Sequence, residues 1–572
     1  MNRITALLMG LGLVILFLGI TISVITQTAQ GKTWIVDDDG KADFNNVRDA
    51  IGAADDGDTI RVYEGVYHQN FTVDKGLRII GNGSDTTHIS VKEWGSKESV
   101  IWVKHDNTSI QGFNISAIDQ IEAGIRVRSR YDNISISENW IEYLEIGIEL
   151  FICSNSSVHN NTIIDTSEDA IWCPNSDNIS IRDNRIVNYY NGIRIGGADN
   201  RVIGNSCFNS SGGTAFHIWS YACLVLDNQA SHGYPYFSSP DMYFFTGKGH
   251  IFANNSLENG MRVLLSSHND PLERNTFYQN NTIQSRPIFY GYQLEGARID
   301  GEYGQIVLMN CSGVEINGSN LTGTYAAILL DGCSDITISN CSFSAGTFGV
   351  HGKECQDISI KGSFFTDFEQ AAIFVEDSVN LRVLDSRLKD NFVGIDIDRS
   401  EHILVQGNDF TEGYSGVYVF FADNINIESN SFEDQERGIN VWIPASNSFE
   451  SISAKTNIFS NNTLAVKVKT SDGVLKAEKN WWGNDTGPYH PQKNPSGTGD
   501  EITDNVDFSP WLTEDGSLKT KPSQEELPWH IILFFIFLLL ISLSLCYLLF
   551  LHPAAERVNR PGMRPGREKE GK

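Results

Sequence analysis

"NFVGIDIDRSEHILVQGNDFTEGYSGVYVFFADNINIESNSFEDQERGIN", residues Asn391 to Asn440, repeats itself. Gly394-Ile395, Gly416-Val417 and Gly438-Ile439 recur at steps of 22, and Asn408 and Asn430 hold matching places between them. The small-plus-aliphatic pair continues upstream at Ala372-Ile373, Gly349-Val350 and Ala327-Ile328. An earlier block carries it at Gly124-Ile125, Gly147-Ile148, Ala170-Ile171, Gly192-Ile193 and Ala215-Phe216, again 22 or 23 residues apart. A fixed period of this length marks a stacked array of one small unit.

Inside each period lie short alternating pieces. Ile336-Thr337-Ile338, Ile358-Ser359-Ile360, Ile403-Leu404-Val405 and Ile425-Asn426-Ile427 form one column with the two-residue alternation of strands. A turn column follows at Asn139, Asn161, Asn184 and Asn205, then Cys341, Ser363, Ser386, Asn408 and Asn430. Two residues on, Ile141, Ile163, Ile186 and Cys207, then Phe343, Phe365, Leu388, Phe410 and Phe432, form a column expected to be buried. Three short strands and three turns per period leave no room for a helix. They predict an all-β chain wound as a right-handed parallel β-helix, with rungs stacked about 4.8 Å apart and each rung burying its neighbour's apolar face. Stacked Asn side chains are expected to hydrogen-bond up their column.

The ends of the 572-residue chain read differently. Residues 1–30 contain an apolar run from Ile4 to Ile25 followed by "TQTAQGK", which predicts a signal peptide or an N-terminal anchor. Residues 31–90 are expected to hold an N-terminal cap, with Val47, Ile51 and Ala54 at helical spacing, and the first rungs. A first β-helix segment is placed at 91–230, an irregular loop-bearing connection at 231–306, and a second segment at 307–478. The Trp-, Pro- and Gly-rich stretch 479–512 reads as a closing cap and 513–528 as a linker. Residues 529–551, "WHIILFFIFLLLISLSLCYLLFL", predict a transmembrane helix, and the basic tail 552–572 a cytoplasmic end. The expected location is therefore the cell membrane, single-pass, with the ectodomain outside.

Composition narrows the partners. Lys and Arg number 43 against 71 Asp and Glu, a formal charge of −28, the wrong sign for a nucleic-acid binder. So acidic a surface is compatible with Ca2+, although no EF-hand or Asp-Gly nonapeptide pattern is present. No metal or other cofactor is required by the pattern. Sequons occur at Asn70, Asn114, Asn133, Asn178, Asn254, Asn340 and Asn461, which makes the chain a candidate glycoprotein. Cys311, Cys333 and Cys355 stack at steps of 22, but the column continues as Ser378, Ser400 and Ala422 and reads as a small-residue position. A disulfide between two of them, or a soft-metal site, is the alternative.

On the Gly-Ile strand the middle residue of each inward–outward–inward triplet is expected to face solvent. In the first block this column reads Arg126, Glu149, Trp172, Arg194, His217, and the preceding turns add Glu122, Glu145, Glu168 and Asp169. Aromatic rings stack on sugars, and paired carboxylates about 5 Å apart serve acid–base or nucleophilic chemistry. Arg126, Glu145, Glu149, Glu168, Asp169, Trp172, Arg194 and His217 are accordingly the candidate lining of a carbohydrate cleft, with no residue assigned as catalytic.

The start "DFNNVRDAIGAADDGDTIRVYEGVY…LRIIGNG", the "NNTI…GI" rungs and the "NWWG…GP…DFSPWL" end resemble the pectin-lyase-like superfamily of right-handed parallel β-helix proteins. The likeness is to its NosD-like and carbohydrate-binding, sugar-hydrolase repeat type and covers residues 33 to 512. The resemblance implies extracellular or envelope polysaccharide as partner and, if the chain is an enzyme, a lyase, glycoside hydrolase or epimerase. The motifs of pectin esterases and polygalacturonases are not apparent. Two other functions stay open: a non-catalytic structural or adhesive rod, and a NosD-like accessory in copper-site maturation.

Overall fold

The computed structural model describes residues 31–91, 98–117, 121–231, 239–245, 249–264, 276–278, 280–442, 452–470, 473–520 and 529–550. The expected signal peptide, the basic tail and parts of the irregular connection lie outside the described residues.

The described residues from 31 to 518 form one compact unit, a parallel β-helix. Its strands fall into an 11-stranded sheet along the first block, a 10-stranded sheet along the second, and a 30-stranded set that carries the Gly-Ile strands. Five Gly-Ile strands of the first block matter below: β1 (Ala123–Arg128), β2 (Ile146–Phe151), β3 (Thr162–Cys173), β4 (Arg185–Ala198) and β5 (Phe216–Tyr221). Three belong to the second block: β6 (Val393–Asp398), β7 (Ser415–Phe420) and β8 (Arg437–Trp442). The pairing is parallel and in the register the repeat predicts. Ile125 pairs with Ile148, Ile148 with Ile171, Ile171 with Ile193, and Ile193 with Phe216.

Like residues stack on like residues. Asn139, Asn161, Asn184, Asn205, Asn228, Asn255 and Asn281 are all buried, and each of the first six donates its side-chain amide to the next Asn Oδ1 at 2.8–3.1 Å. The same oxygen accepts the backbone N–H one rung down, as from Asn161 to Asn184 at 3.0 Å. The ladder thus satisfies turn groups that the strands leave unpaired. In the second block Phe410, Phe432, Phe459 and Trp482 form a column of parallel rings 4.7–5.1 Å apart. This column explains the glycines opposite. A Cβ on Gly394 would lie 2.8 Å from the Phe410 ring, and one on Gly416 2.6 Å from Phe432.

Two apolar clusters run along the β-helix, the first reaching Val307, Met309 and Leu329 of the second block, and a polar clasp ties Met261 to that block. The fully buried Gln305 amide accepts from Met261 N–H at 2.9 Å and donates to the Met261 and Ala326 carbonyls at 2.8 Å. Beside it the Arg262 guanidinium lies 5.8 Å from the Tyr243 ring and 5.6 Å from the Tyr325 ring.

Helix α1 (Val47–Ala53) starts at Asn46, whose side chain accepts from Asp49 N–H, and buries Val47, Ala50 and Ile51 against the first rungs. The eight cysteines of the β-helix are free and buried. Cys311 and Cys333 direct their thiols to backbone carbonyls at 3.3–3.4 Å, and Cys355 N–H donates to Ser378 Oγ, as a small-residue column requires.

A second unit begins beyond Leu518, and among its described residues helix α2 spans Trp529–Phe550. Side chains are described on it only at 533, 534 and 536–544, and all of these are exposed. Among the described residues no helix is long and apolar enough to cross a membrane.

Candidate functional site

The outward ladder of the first block runs in register from Trp102 through Arg126, Glu149, Trp172, Arg194 and His217 to Tyr243. Its two halves differ in kind.

The first half is sealed. Arg126 and Glu149 were expected to face solvent, yet Arg126 is 1% exposed and Glu149 fully buried. They point off the sheet, but an ion-pair knot covers them. Glu149 accepts from Arg126 Nε through Oε2 and from Arg128 Nε through Oε1, both at 2.6 Å. Glu122 Oε1 closes the ring, 2.7 Å from Arg126 and 2.9 Å from Arg128. Burial raises the Glu122 pKa, but its hydrogen bonds and charge contacts with the two arginines outweigh this and leave it below the usual carboxylate range. Charges held this tightly form a structural node. Glu149 has no free oxygen for an incoming proton or sugar.

The second half is accessible. Arg194 Nη1 lies 2.8 Å from Asp169 Oδ2. The Arg194 guanidinium sits 5.8 Å from the Trp172 ring and 5.9 Å from the Trp219 ring, within cation–π range of both. Trp219 is 47% exposed. Asp169 is almost wholly buried, and burial raises its carboxyl pKa against the pull of Arg194. Next along the ladder, His217 packs edge-on against Trp219 and Tyr243, each at 4.7 Å. Burial, aided by the Arg194 charge, lowers its pKa to about 4, so it is neutral at ordinary pH. Exposed Tyr190 and Tyr221 flank this half.

Of the eight expected residues, the structure gathers Asp169, Trp172, Arg194 and His217 into one group. Arg126 and Glu149 belong to the sealed knot. Glu145 is half-buried just before β2 and Glu168 is exposed on β3, linked by a backbone hydrogen bond from Glu168 N–H to the Glu145 carbonyl at 2.9 Å. Sequence reasoning missed Trp219, Arg128 and Tyr243. Trp219 and Arg128 stand two residues after His217 and Arg126 on the same strands, so alternation extended by one more pair points to both.

The right-handed β-helix family model matches residues 75–231 and 304–464, more than half of the chain. The chain belongs to the right-handed β-helix family. No curated protein matches the sequence. Among solved structures this β-helix is similar to a pectin methylesterase in complex with a hexasaccharide, at 14% identity and a TM-score of 0.26, covering 41% of this chain and 81% of that one. An alginate lyase from Paenibacillus matches at 12% identity and a TM-score of 0.22, covering 59% of this chain and 90% of that one. The catalytic domain of a GH87 α-1,3-glucanase in complex with nigerose matches at 12% identity and a TM-score of 0.28, covering 67% and 63%. These likenesses carry no argument about activity.

Proposed function

We propose that this protein is a membrane-anchored β-helix that binds polysaccharide of its cell surface or surroundings on the Trp172–Arg194–Trp219 platform. The observation that carries the reading is Arg194 placed between two indoles, one of them half exposed. Indole faces take the C–H faces of sugar rings, and a guanidinium aligned between them offers donors to ring hydroxyls or to a uronate carboxylate. Binding fits the first block better than turnover, because Glu149, one of its carboxylates, is locked between two arginines.

Anchoring is supported by α2, whose exposed Leu533, Phe534, Phe537, Leu539, Leu540 and Leu543 are costly in water and natural in lipid. The basic tail beyond it would lie in the cytoplasm by charge bias. Helix α1 at the other end would shield the first rung from edge pairing.

The test is a glycan array probed with the purified protein and with its Trp219→Ala and Arg194→Ala variants. Binding to one glycan class that both variants lose supports the platform. No binding by a folded protein removes it and leaves the stiff surface rod as the function.

A further inference from the structure

The second block carries a groove that the first-block reading does not use. It holds about 550 Å³ and is lined by Gln370, Phe392, Asp396, Tyr414, Tyr418 and Arg437, with Asn440 at one side. This volume falls within the range typical of small-molecule sites.

Its floor is the outward ladder of β6, β7 and β8, where Asp396 pairs with Tyr418 and Tyr418 with Asn440. Its wall is a column from the turns before those strands. Phe392 and Tyr414 stack 4.7 Å apart with their planes 2° from parallel, and the Arg437 guanidinium caps Tyr414 at 4.3 Å. Arg437 also donates to the Tyr414 hydroxyl and pairs with Glu436 at 3.2 Å, while its Nε is buried without a hydrogen-bond partner. Phe392, at the open end of the column, is 51% exposed. An aromatic wall beside a floor of carboxyl, phenol and amide groups is the two-sided chemistry a pyranose presents, apolar on its faces and hydroxylated at its rim.

We propose that this groove is a second saccharide site, which takes a chain of neutral sugars along the β-helix axis. The surrounding charge decides neutral over acidic. The lining cation Arg437 is already paired with Glu436, Arg399 beyond the groove is paired with Asp398, and the whole chain carries −28. A polyanion would meet repulsion without a free partner. Asp396 supplies the polar anchor. Burial, with the Asp398 charge beside it, raises its pKa to about 7, so below pH 7 its carboxyl is mostly protonated and donates to a sugar oxygen. The groups facing it are Asp398 on its own strand, Phe374 on the preceding strand, Tyr418 on β7, and Arg437 and Asn440 on β8. The site stands on different residues from the platform and does not depend on that reading.

The experiment is calorimetric titration of the full chain carrying Trp219→Ala, so that the platform does not contribute. The probes are maltohexaose, cellohexaose, laminarihexaose and mannohexaose, with an alginate hexasaccharide for comparison. We expect at least one neutral hexasaccharide to bind more tightly than alginate. Adding Phe392→Ala should weaken it tenfold or more. The affinity should fall as pH rises from 6 to 8, and Asp396→Asn should abolish that pH dependence while keeping the groove filled. Phe392 is half exposed, so its removal should leave the melting temperature nearly unchanged, and the near-isosteric Asp396→Asn provides a second reading if it does not. No binding of any neutral hexasaccharide, tighter binding of alginate, or an affinity indifferent to both substitutions would overturn the proposal. A failure of the platform shows elsewhere, as no difference between the otherwise unaltered chain and its Trp219→Ala variant.

Discussion

Arg194 Nη1 lies 2.8 Å from Asp169 Oδ2, and this contact fixes a guanidinium between the Trp172 and Trp219 rings. The pair reaches from β3 of one rung to β4 of the next. It gives the accessible half of the ladder a cation held at one end and open at the other. Asp169→Asn should keep the shape and remove most of the ionic hold. We expect a loss in glycan affinity of roughly fivefold, about 1 kcal/mol, and a larger loss for Arg194→Lys, which cannot present a planar fork. Titration of the two variants against the same glycan checks the order.

Glu149 is the opposite case. Replacing it with Ala leaves Arg126 buried without its main partner, and the expected cost is about 3–5 kcal/mol of folding stability. Glu168→Ala, at an exposed position of β3, should stay within about 0.5 kcal/mol. Denaturant unfolding of both variants measures the contrast. Equal, small effects would mean that the knot is not structural.

The Asn ladder should be sensitive at its middle. Asn184 donates to the Asn205 side chain and the Val158 carbonyl, and accepts from the Asn161 backbone and side chain. Asn184→Ala strands several buried polar groups at once, with an expected cost of about 2–4 kcal/mol. Asn178→Ala, at a neighbouring solvent-facing turn, should cost less than half as much. Thermal melts compare the two.

Acid should weaken the fold through half-buried His217 and buried His250. His217 and His250 both have pKa values lowered to about 4, burial being the main cause. In the unfolded chain they titrate near 6.5, so between pH 6.5 and 4 the unfolded state binds protons that the folded state refuses. Stability then falls as pH falls through this window, by about 1–3 kcal/mol per histidine. His217→Gln should flatten part of that slope while leaving stability at pH 7.5 nearly unchanged. Urea midpoints from pH 4 to 8 test the sign.

The register of the β-helix was legible because its cause is local. One Gly-Ile pair per 22 or 23 residues places Ile125 over Ile148 and Ile395 over Val417, and both pairings occur. The Asn column was legible for the same reason, since one residue type recurs where one turn recurs. Depth was not. Alternation says that Arg126 and Glu149 point off the sheet, but not that Arg128, two residues on, returns over Glu149 and closes it from water. The clasp at Gln305 was hidden too, because both Gln305 and Met261 lie in the irregular stretch 231–306, where the repeat pattern lapses and spacing no longer assigns neighbours. Of the site, the ladder residues were readable from the repeat. The second indole, Trp219, was not, because only one outward position per strand was counted.

The most direct test of the central claim is the glycan array with the purified protein, its Trp219→Ala and its Arg194→Ala variants, scored beside their melting temperatures. The account predicts selective binding to one class of polysaccharide, lost by both variants while each stays folded at the assay temperature, with the melting temperature of Arg194→Ala lowered because buried Asp169 loses its partner. Binding that survives both substitutions, or none at all by a folded protein, would contradict it.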